Sequence, residues 1–302
     1  MIWLLGPGWA AAQTVQYTRK ANGEIWLEGN LPATETHVLQ SSPNLRFWVD
    51  VRDGLTGHFS LRADLEGMEK RFFRVVPSSE EGAPITLAMV GDSTVADLAS
   101  NSGVFSGWGQ GMHGYFKAQV RVINLAMPCY GTKTFLASAE RTSLEVIRPD
   151  VVLVQFGMID EIGCGGDRSE QFVATETEYR ENLKVLVEMI RGFGGQPVLV
   201  TPPVMRRFNA LGRVITILPN RRAIMQTVAT ELQVPLVDLY QMSGALVERL
   251  GLEGSAYLYS SAGDLGHFSL RGAEILAGMV ISGLPPALGR YVVADYDLMA
   301  AP

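Results

Sequence analysis

Ile85-Thr86-Leu87-Ala88-Met89-Val90-Gly91-Asp92-Ser93-Thr94 reads as a strand buried on both faces that stops abruptly at a turn. Its apolar residues do not alternate with polar ones, as they do in a strand with one wet face, so both sides must be covered. The pattern repeats outward along the chain. Apolar runs at 85–90, 120–125, 151–156, 197–201 and 235–239 alternate with helical segments near 106–118, 132–146, 172–193, 219–232, 241–250 and 269–282. Such strands joined by helices predict a flavodoxin-like three-layer α/β/α domain with a central parallel sheet, over residues 85–288. A ligand on a sheet of this kind sits beyond the carboxyl ends of the strands.

Upstream the texture differs. Short strand-like pieces at 24–27, 37–40, 47–49 and 72–76, separated by Gly, Pro, Asn and Asp, predict a small all-β sandwich-like module over 14–77, followed by a polar linker at 78–84. VLQSSPNLRFWVDV and RFFRVVP within it resemble fibronectin-like modules attached to secreted hydrolases. Residues 1–13 read as the remnant of a secretory signal, an apolar stretch ending in Ala10-Ala11-Ala12, although a basic leading segment is missing. They are expected to lie outside the fold, with the mature protein secreted or periplasmic. A buried N-terminal strand is the less favoured reading, because Gly6, Pro7 and Gly8 interrupt the run. Residues 289–302 are read as a C-terminal tail.

The 302 residues are 47% hydrophobic and 19% charged, enough for a sizeable core, and the net charge is −6. That balance argues against a nucleic-acid partner, which needs a concentrated basic face. The adjacent pairs Arg206-Arg207 and Arg221-Arg222 are expected at solvated loop and helix positions. No apolar run is long enough to span a bilayer, and no feature of the sequence sets the oligomeric state.

The first strand delivers Ser93 into the sharp turn between strand and helix, where a hydroxyl is exposed and a backbone N–H can face an anion. Gly-Asp-Ser is also a common ordinary turn, and both readings stand at this point. A serine nucleophile needs a base. Of the four histidines, His37 and His58 fall in the β module and His113 lies in a helical segment, where a half-buried structural role is expected. His267 lies in Asp264-Leu265-Gly266-His267, just before the last helix, a spacing that lets the carboxylate reach Nδ1 and leave Nε2 free to deprotonate a serine.

With those residues in place, GDSTVAD, GWGQ, INLAMPCYGTKTF, VLVQFGMID, TPPVMRRF and DLGHFSLRGA resemble, in order and spacing, the blocks of the SGNH (GDSL-like) hydrolase superfamily. They are closest to its rhamnogalacturonan acetylesterase-like branch. The resemblance covers about residues 85–284 and implies a serine esterase acting on short acyl esters, with O-acetyl groups on polysaccharide as the implied substrate. It implies Ser93 as nucleophile and oxyanion donor, His267 as base and Asp264 as its orienter. The family's second-block glycine, a backbone oxyanion donor, falls on Cys129. In the block where the family reads His-Asn-Asp this chain reads Met158-Ile159-Asp160, and Ile159 has no donor to offer. Losing one oxyanion donor costs ~100- to 1,000-fold in turnover. A weakened esterase, an esterase with a borrowed donor and a catalytically silent carbohydrate-binding protein all stay open, as does acyl transfer to a sugar through the same acyl-enzyme.

The two cysteines, Cys129 and Cys164, fall on loops that this fold brings to the site rim; a disulfide and two unpaired thiols are equally open. Trp108 is a candidate to face a sugar, and Arg206 or Arg207 to meet a uronate carboxylate, with packed tryptophan and solvated arginines as the competing reading. Gly-x-Ser-x-Gly, His-Glu-x-x-His, and phosphate- or dinucleotide-binding glycine patterns in strand-helix context are missing, so no cofactor and no metal are expected.

Overall fold

The computed structural model describes residues 2–5, 14–22, 24–34, 36–42, 49–63, 71–77, 83–98, 105–215, 217–261 and 263–293. The chain divides into two units, Met1–Pro84 with Tyr115–Gln119 and the chain from Pro285 onward, and Ile85–Gly114 with Val120–Leu284.

Among the described residues the first unit holds seven strands: β1 (Ile2–Leu5), β2 (Thr14–Arg19), β3 (Ile25–Asn30), β4 (His37–Ser42), β5 (Val49–Leu55), β6 (His58–Ala63) and β7 (Arg71–Pro77). They form two sheets, β1-β7-β4-β5 and β2-β3-β6. Leu27 and Phe59 from the second sheet share one core with Leu39, Leu55, Phe73 and Val75 from the first, which makes the pair a sandwich. Strands β2 and β6 are not among the sequence expectations, because Gln16, Thr18, Ser60 and Arg62 dilute their apolar runs. The N-terminus departs further. Ile2–Leu5 lies inside the fold, paired in parallel with Arg71–Arg74 of β7, because four apolar residues suffice for an edge strand before Gly6. Residues 6–13, the expected linker at 78–82 and the stretch 43–48 lie outside the described residues. Part of the expected tail is built in: Phe116 bridges Val292, and the Tyr291 hydroxyl donates to the Ala83 carbonyl at 3.0 Å.

In the second unit β8 (Ile85–Gly91), β9 (Val120–Asn124), β10 (Val151–Gln155), β11 (Gln196–Val200) and β12 (Leu236–Val237) are all parallel, in the order β12-β11-β10-β8-β9. The winding reverses between β8 and β10, and that switch point opens a crevice at their carboxyl ends. Period-two sequence sends Ala88, Val90, Val152 and Val154 to one face, where Tyr179, Leu183 and Leu186 of α4 (Glu176–Gly192) and Met225 and Val228 of α5 (Pro219–Glu231) bury them. Phe135 of α1 (Thr132–Leu136) and Leu144 of α2 (Ala139–Ile147) complete that layer. A reciprocal capping box between Thr175 and Glu178 starts α4. Leu87, Met89 and Leu153 bury the opposite face. On that side α6 (Leu239–Gly254) packs on α7 (Leu270–Gly283), and a 3-10 helix spans Trp108–Tyr115. One short helix was not foreseen, α3 (Met158–Ile162), since five residues carry no readable periodicity.

Candidate active site

The turn after β8 is packed tightly enough to dictate its residues. A side chain at Gly91 would place Cβ 2.5 Å from Val95 Cγ2 and 2.7 Å from the Gln155 carbonyl oxygen. The Asp92 carbonyl then accepts from the N–H groups of Val95 (3.0 Å) and Ala96 (3.1 Å), which rolls the chain over and presents Ser93. Asp92 itself is fully buried. Its Oδ1 accepts from the Thr94 N–H (2.8 Å) and hydroxyl (2.7 Å), while Oδ2 meets no partner among the described residues. Burial pushes this carboxyl up to about 6, against the opposing pull of the Thr94 hydrogen bonds. Gln155, at the end of β10, donates from Nε2 to Thr94 Oγ1 (2.7 Å) and accepts at Oε1 from Trp108 Nε1 (2.7 Å). Trp108 is therefore no rim residue: it is wholly buried behind the serine turn as the far end of this chain of bonds. Gly107 beside it is glycine because a Cβ would meet the Val95 backbone carbon at 2.4 Å.

Ser93 Oγ lies 2.9 Å from His267 Nε2, and His267 Nδ1 lies 2.9 Å from Asp264 Oδ2. Asp264 also accepts at Oδ1 from the N–H groups of Gly266 (3.0 Å) and His267 (2.9 Å), and at Oδ2 from the Ser260 hydroxyl (2.9 Å). Partial burial would raise this carboxyl, but the His267 and Gly266 N–H groups and the imidazole outweigh it and hold Asp264 below the ordinary carboxylate range. An ionised Asp264 can only accept. Nδ1 is then the protonated ring nitrogen, and Nε2 is left to accept from the Ser93 hydroxyl. The histidine loop is held by Ser106 N–H to Phe268 O (2.9 Å) and Ser260 N–H to His267 O (3.1 Å), and the Phe105 ring rests against the imidazole at 4.9 Å between centroids.

The opposite wall comes from the loop after β9 and from α3. The Met127 N–H donates to the Gly91 carbonyl (3.1 Å), tying the loop to the base of the serine turn. Cys129 adopts φ +65°, a conformation that glycine takes without strain, at the position where the resemblance puts a glycine. Cys129 and Cys164 are joined as a disulfide with Cα atoms 5.1 Å apart, and both border the cleft. Among the described residues, none accepts from the backbone N–H of Ser93 or of Cys129. Ile159 presents its side chain to the same cleft. Behind it Asp160 is fully buried; its Oδ1 accepts from the Thr132 N–H (3.0 Å) and hydroxyl (2.5 Å), and its Oδ2 meets no partner among the described residues. Burial pushes the Asp160 carboxyl up, against the pull of the Thr132 bonds.

These walls enclose about 880 Å3, bordered by Leu98, Phe105, Met158, Ile162, Met205, Leu265 and Arg207 beside the residues above. Arg207 thus reaches the cleft. Arg206 does not, and it is not solvated either: it is buried, with Nε on Ser255 Oγ (3.3 Å) and a guanidinium N–H on the Leu252 carbonyl. Arg221 is also buried, donating to Glu161 Oε2 (2.9 Å) and to the carbonyls of Asp160 (3.1 Å) and Ala174 (2.6 Å). In both places the loop carbonyls to be satisfied are contributed from elsewhere in the chain. His113 is exposed on its 3-10 helix and takes no part in the site. Among the described residues no group of three or more His, Cys, Asp or Glu side chains could hold a metal ion, and no helix is long and apolar enough to cross a membrane.

The GDSL-like Lipase/Acylhydrolase family model matches residues 89–275. The chain is 29% identical over 215 residues to the rhamnogalacturonan acetylesterase RhgT of Bacillus subtilis, a match spanning 67% of this chain and 90% of that one. It is 31% identical over 202 residues to the probable rhamnogalacturonan acetylesterase YesY of the same organism, spanning 65% and 90%. Among solved structures, protein YXIM of Bacillus subtilis superposes with a TM-score of 0.59 at 22% identity, over 90% of this chain and 82% of its own. A catalytic mutant of an acetylxylan esterase from Geobacillus stearothermophilus superposes with 0.53 at 18% identity, over 67% and 96%. At those identities the structural likeness speaks to the fold.

Proposed function

Since the chain belongs to the GDSL-like lipase/acylhydrolase family and is a carboxylic ester hydrolase, we propose that it removes short acyl groups, acetyl first among them, from polysaccharide through an acyl-enzyme on Ser93. The observation that carries this reading is the unbroken relay Ser93 Oγ, His267, Asp264 at the crevice of the sheet. His267 Nε2 takes the hydroxyl proton as Ser93 Oγ bonds to the ester carbon. The resulting oxyanion is met by the N–H groups of Ser93 and Cys129. When the carbonyl re-forms, the alcohol oxygen leaves with the proton from Nε2, and water repeats the sequence to release the acid. The hole has two backbone donors, and an apolar Ile159 side chain stands where the family places an amide. A weak enzyme or a carbohydrate-binding protein is the reading that Ile159 favours instead. We also propose export to an oxidising compartment, supported by the Cys129–Cys164 pairing.

Hydrolysis of p-nitrophenyl acetate and of acetylated polysaccharide by the wild type, Ser93→Ala and Ile159→Asn tests the reading. Turnover that Ser93→Ala abolishes and Ile159→Asn accelerates is expected. A wild type no faster than Ser93→Ala on either substrate rejects it in favour of glycan binding.

A further inference from the structure

The two long sides of the cleft differ in chemistry. Its polar side chains, Ser93, Thr94, Arg207, Ser261, Asp264 and His267, all belong to the serine turn, to the histidine loop, or to the loop after β11 that the Arg206 N–H ties to Leu265 O (2.8 Å). Across from them Pro128, Met158, Ile159, Ile162 and the Cys129–Cys164 disulfide border the cleft, and none of these side chains brings a charge or a hydrogen-bond donor. This apolar side is held from behind. The Ile159 carbonyl accepts from the Gly163 N–H (2.9 Å), and the Asp160 carbonyl accepts from the Ala174 N–H (3.0 Å) and the Arg221 guanidinium (3.1 Å). Directly after Ile162 the chain turns at Gly163, φ +76°, where a Cβ would lie 1.9 Å from the Asp167 carbonyl oxygen. Ile159 is therefore a fixed surface, buried on its helix side and open only to the cleft.

On the mechanism above an ester has little choice of orientation. Its alcohol oxygen collects the proton from His267 Nε2, so the alcohol half lies along the histidine loop. Its carbonyl oxygen is taken by the Ser93 and Cys129 N–H groups. The acyl carbon is left facing the apolar side, which includes Ile159. A sugar hydroxyl there would lose its water partners and find no replacement, whereas a hydrocarbon chain gains by leaving water. We propose that Ile159 is a specificity residue for the acyl half of the ester, making the cleft accept aliphatic acyl groups longer than acetyl, such as butyryl. The side chain that costs the oxyanion a donor thereby supplies a contact to the carbon chain. This inference rests on the acyl-enzyme reading and extends it from acetyl to longer chains.

The test is the ratio of kcat/KM for p-nitrophenyl butyrate to that for p-nitrophenyl acetate, each divided by its rate of hydrolysis by hydroxide. Each methylene moved from water into an apolar site is worth ~4-fold, so the wild-type ratio is expected at one or above, up to ~10. In Ile159→Ala and in Ile159→Asn the ratio is expected to fall ~3- to 10-fold. The amide that Ile159→Asn introduces acts on the carbonyl oxygen that both esters share, so its gain cancels from the ratio. Loss of folded protein cancels too, since both esters are read on one preparation. A wild-type ratio below one, or a ratio unchanged in either variant, overturns the proposal. Binding of the two uncleaved esters to Ser93→Ala, with and without Ile159→Ala, reads the same contact by ligand-observed NMR without catalysis. Tighter binding of the butyrate that Ile159→Ala removes supports the proposal, and equal binding of the two esters overturns it. A wild type as slow as Ser93→Ala on both esters defeats the acyl-enzyme reading alone, and the binding comparison still decides the proposal.

Discussion

The two walls of the cleft are anchored by the same device and furnished differently. On the serine side, buried Asp92 accepts at Oδ1 from both the N–H and the hydroxyl of Thr94. On the opposite wall, buried Asp160 does the same for Thr132. Each carboxylate holds one strand-end loop. Above these anchors the walls diverge: one bears Ser93, His267 and Asp264, while the other bears Cys129 and Ile159, at positions where the resemblance implies a glycine and an asparagine. The difference follows from what each wall must supply. Proton transfer needs particular side-chain atoms, whereas a backbone N–H survives a change of side chain once φ is held, here at +65° and with a disulfide on the same residue.

Breaking the acid-base wall has the largest effect. Asp264→Asn frees Nδ1 from its acceptor and permits the wrong tautomer, so kcat on p-nitrophenyl acetate is expected to drop by ~1,000- to 10,000-fold in steady-state assays. Unlinking the other wall comes next. Cys129→Ser combined with Cys164→Ser releases a closure of 35 residues, and denaturant titration should show about 3–4 kcal/mol less stability in that unit. If the double variant is as stable and as active as the wild type, the disulfide does not hold the oxyanion loop.

The anchors themselves are open to test by pH. Asp92 rises from 3.8 to about 6 on folding, so between those values the folded chain holds a proton that the unfolded chain has lost. Stability therefore declines as pH rises from about 4 to 6, with a full penalty of about 3 kcal/mol above that window. Asp264 has the opposite sign: its depressed value adds stability above about 3.8, lost as pH falls through its folded value. Asp92→Asn should flatten the decline between pH 4 and 6 in urea titrations, and an unchanged slope would assign it to other groups. The smallest effect sharpens the contrast instead of breaking it. Ile159→Asn returns an amide donor to the second wall and is expected to raise kcat ~10-fold or more; a fall would mean that Ile159 packs productively against substrate.

The parallel sheet and the Ser93, Asp264 and His267 positions were legible in the sequence because each sits where a strand or helix pattern breaks, and a break is a local signal. What could not be read depends on contacts distant in the chain. Trp108, a candidate to face a sugar by sequence, sits between glycines that answer a backbone approach from Val95, and its indole answers Gln155. Nothing local separates Arg206 from Arg207, whose fates are set by Leu252, Ser255 and Leu265. Asp92 passes for a turn residue until its burial is seen.

The hydrogen bond between Ser93 and His267 spans 174 positions of chain. At ~5–20 residues per second of synthesis, Ser93 is made roughly 9–35 s before His267. On the proposed mechanism a nascent or prematurely terminated chain carries the serine in an unarmed form, and ester turnover becomes a stopwatch for the docking of the last helix.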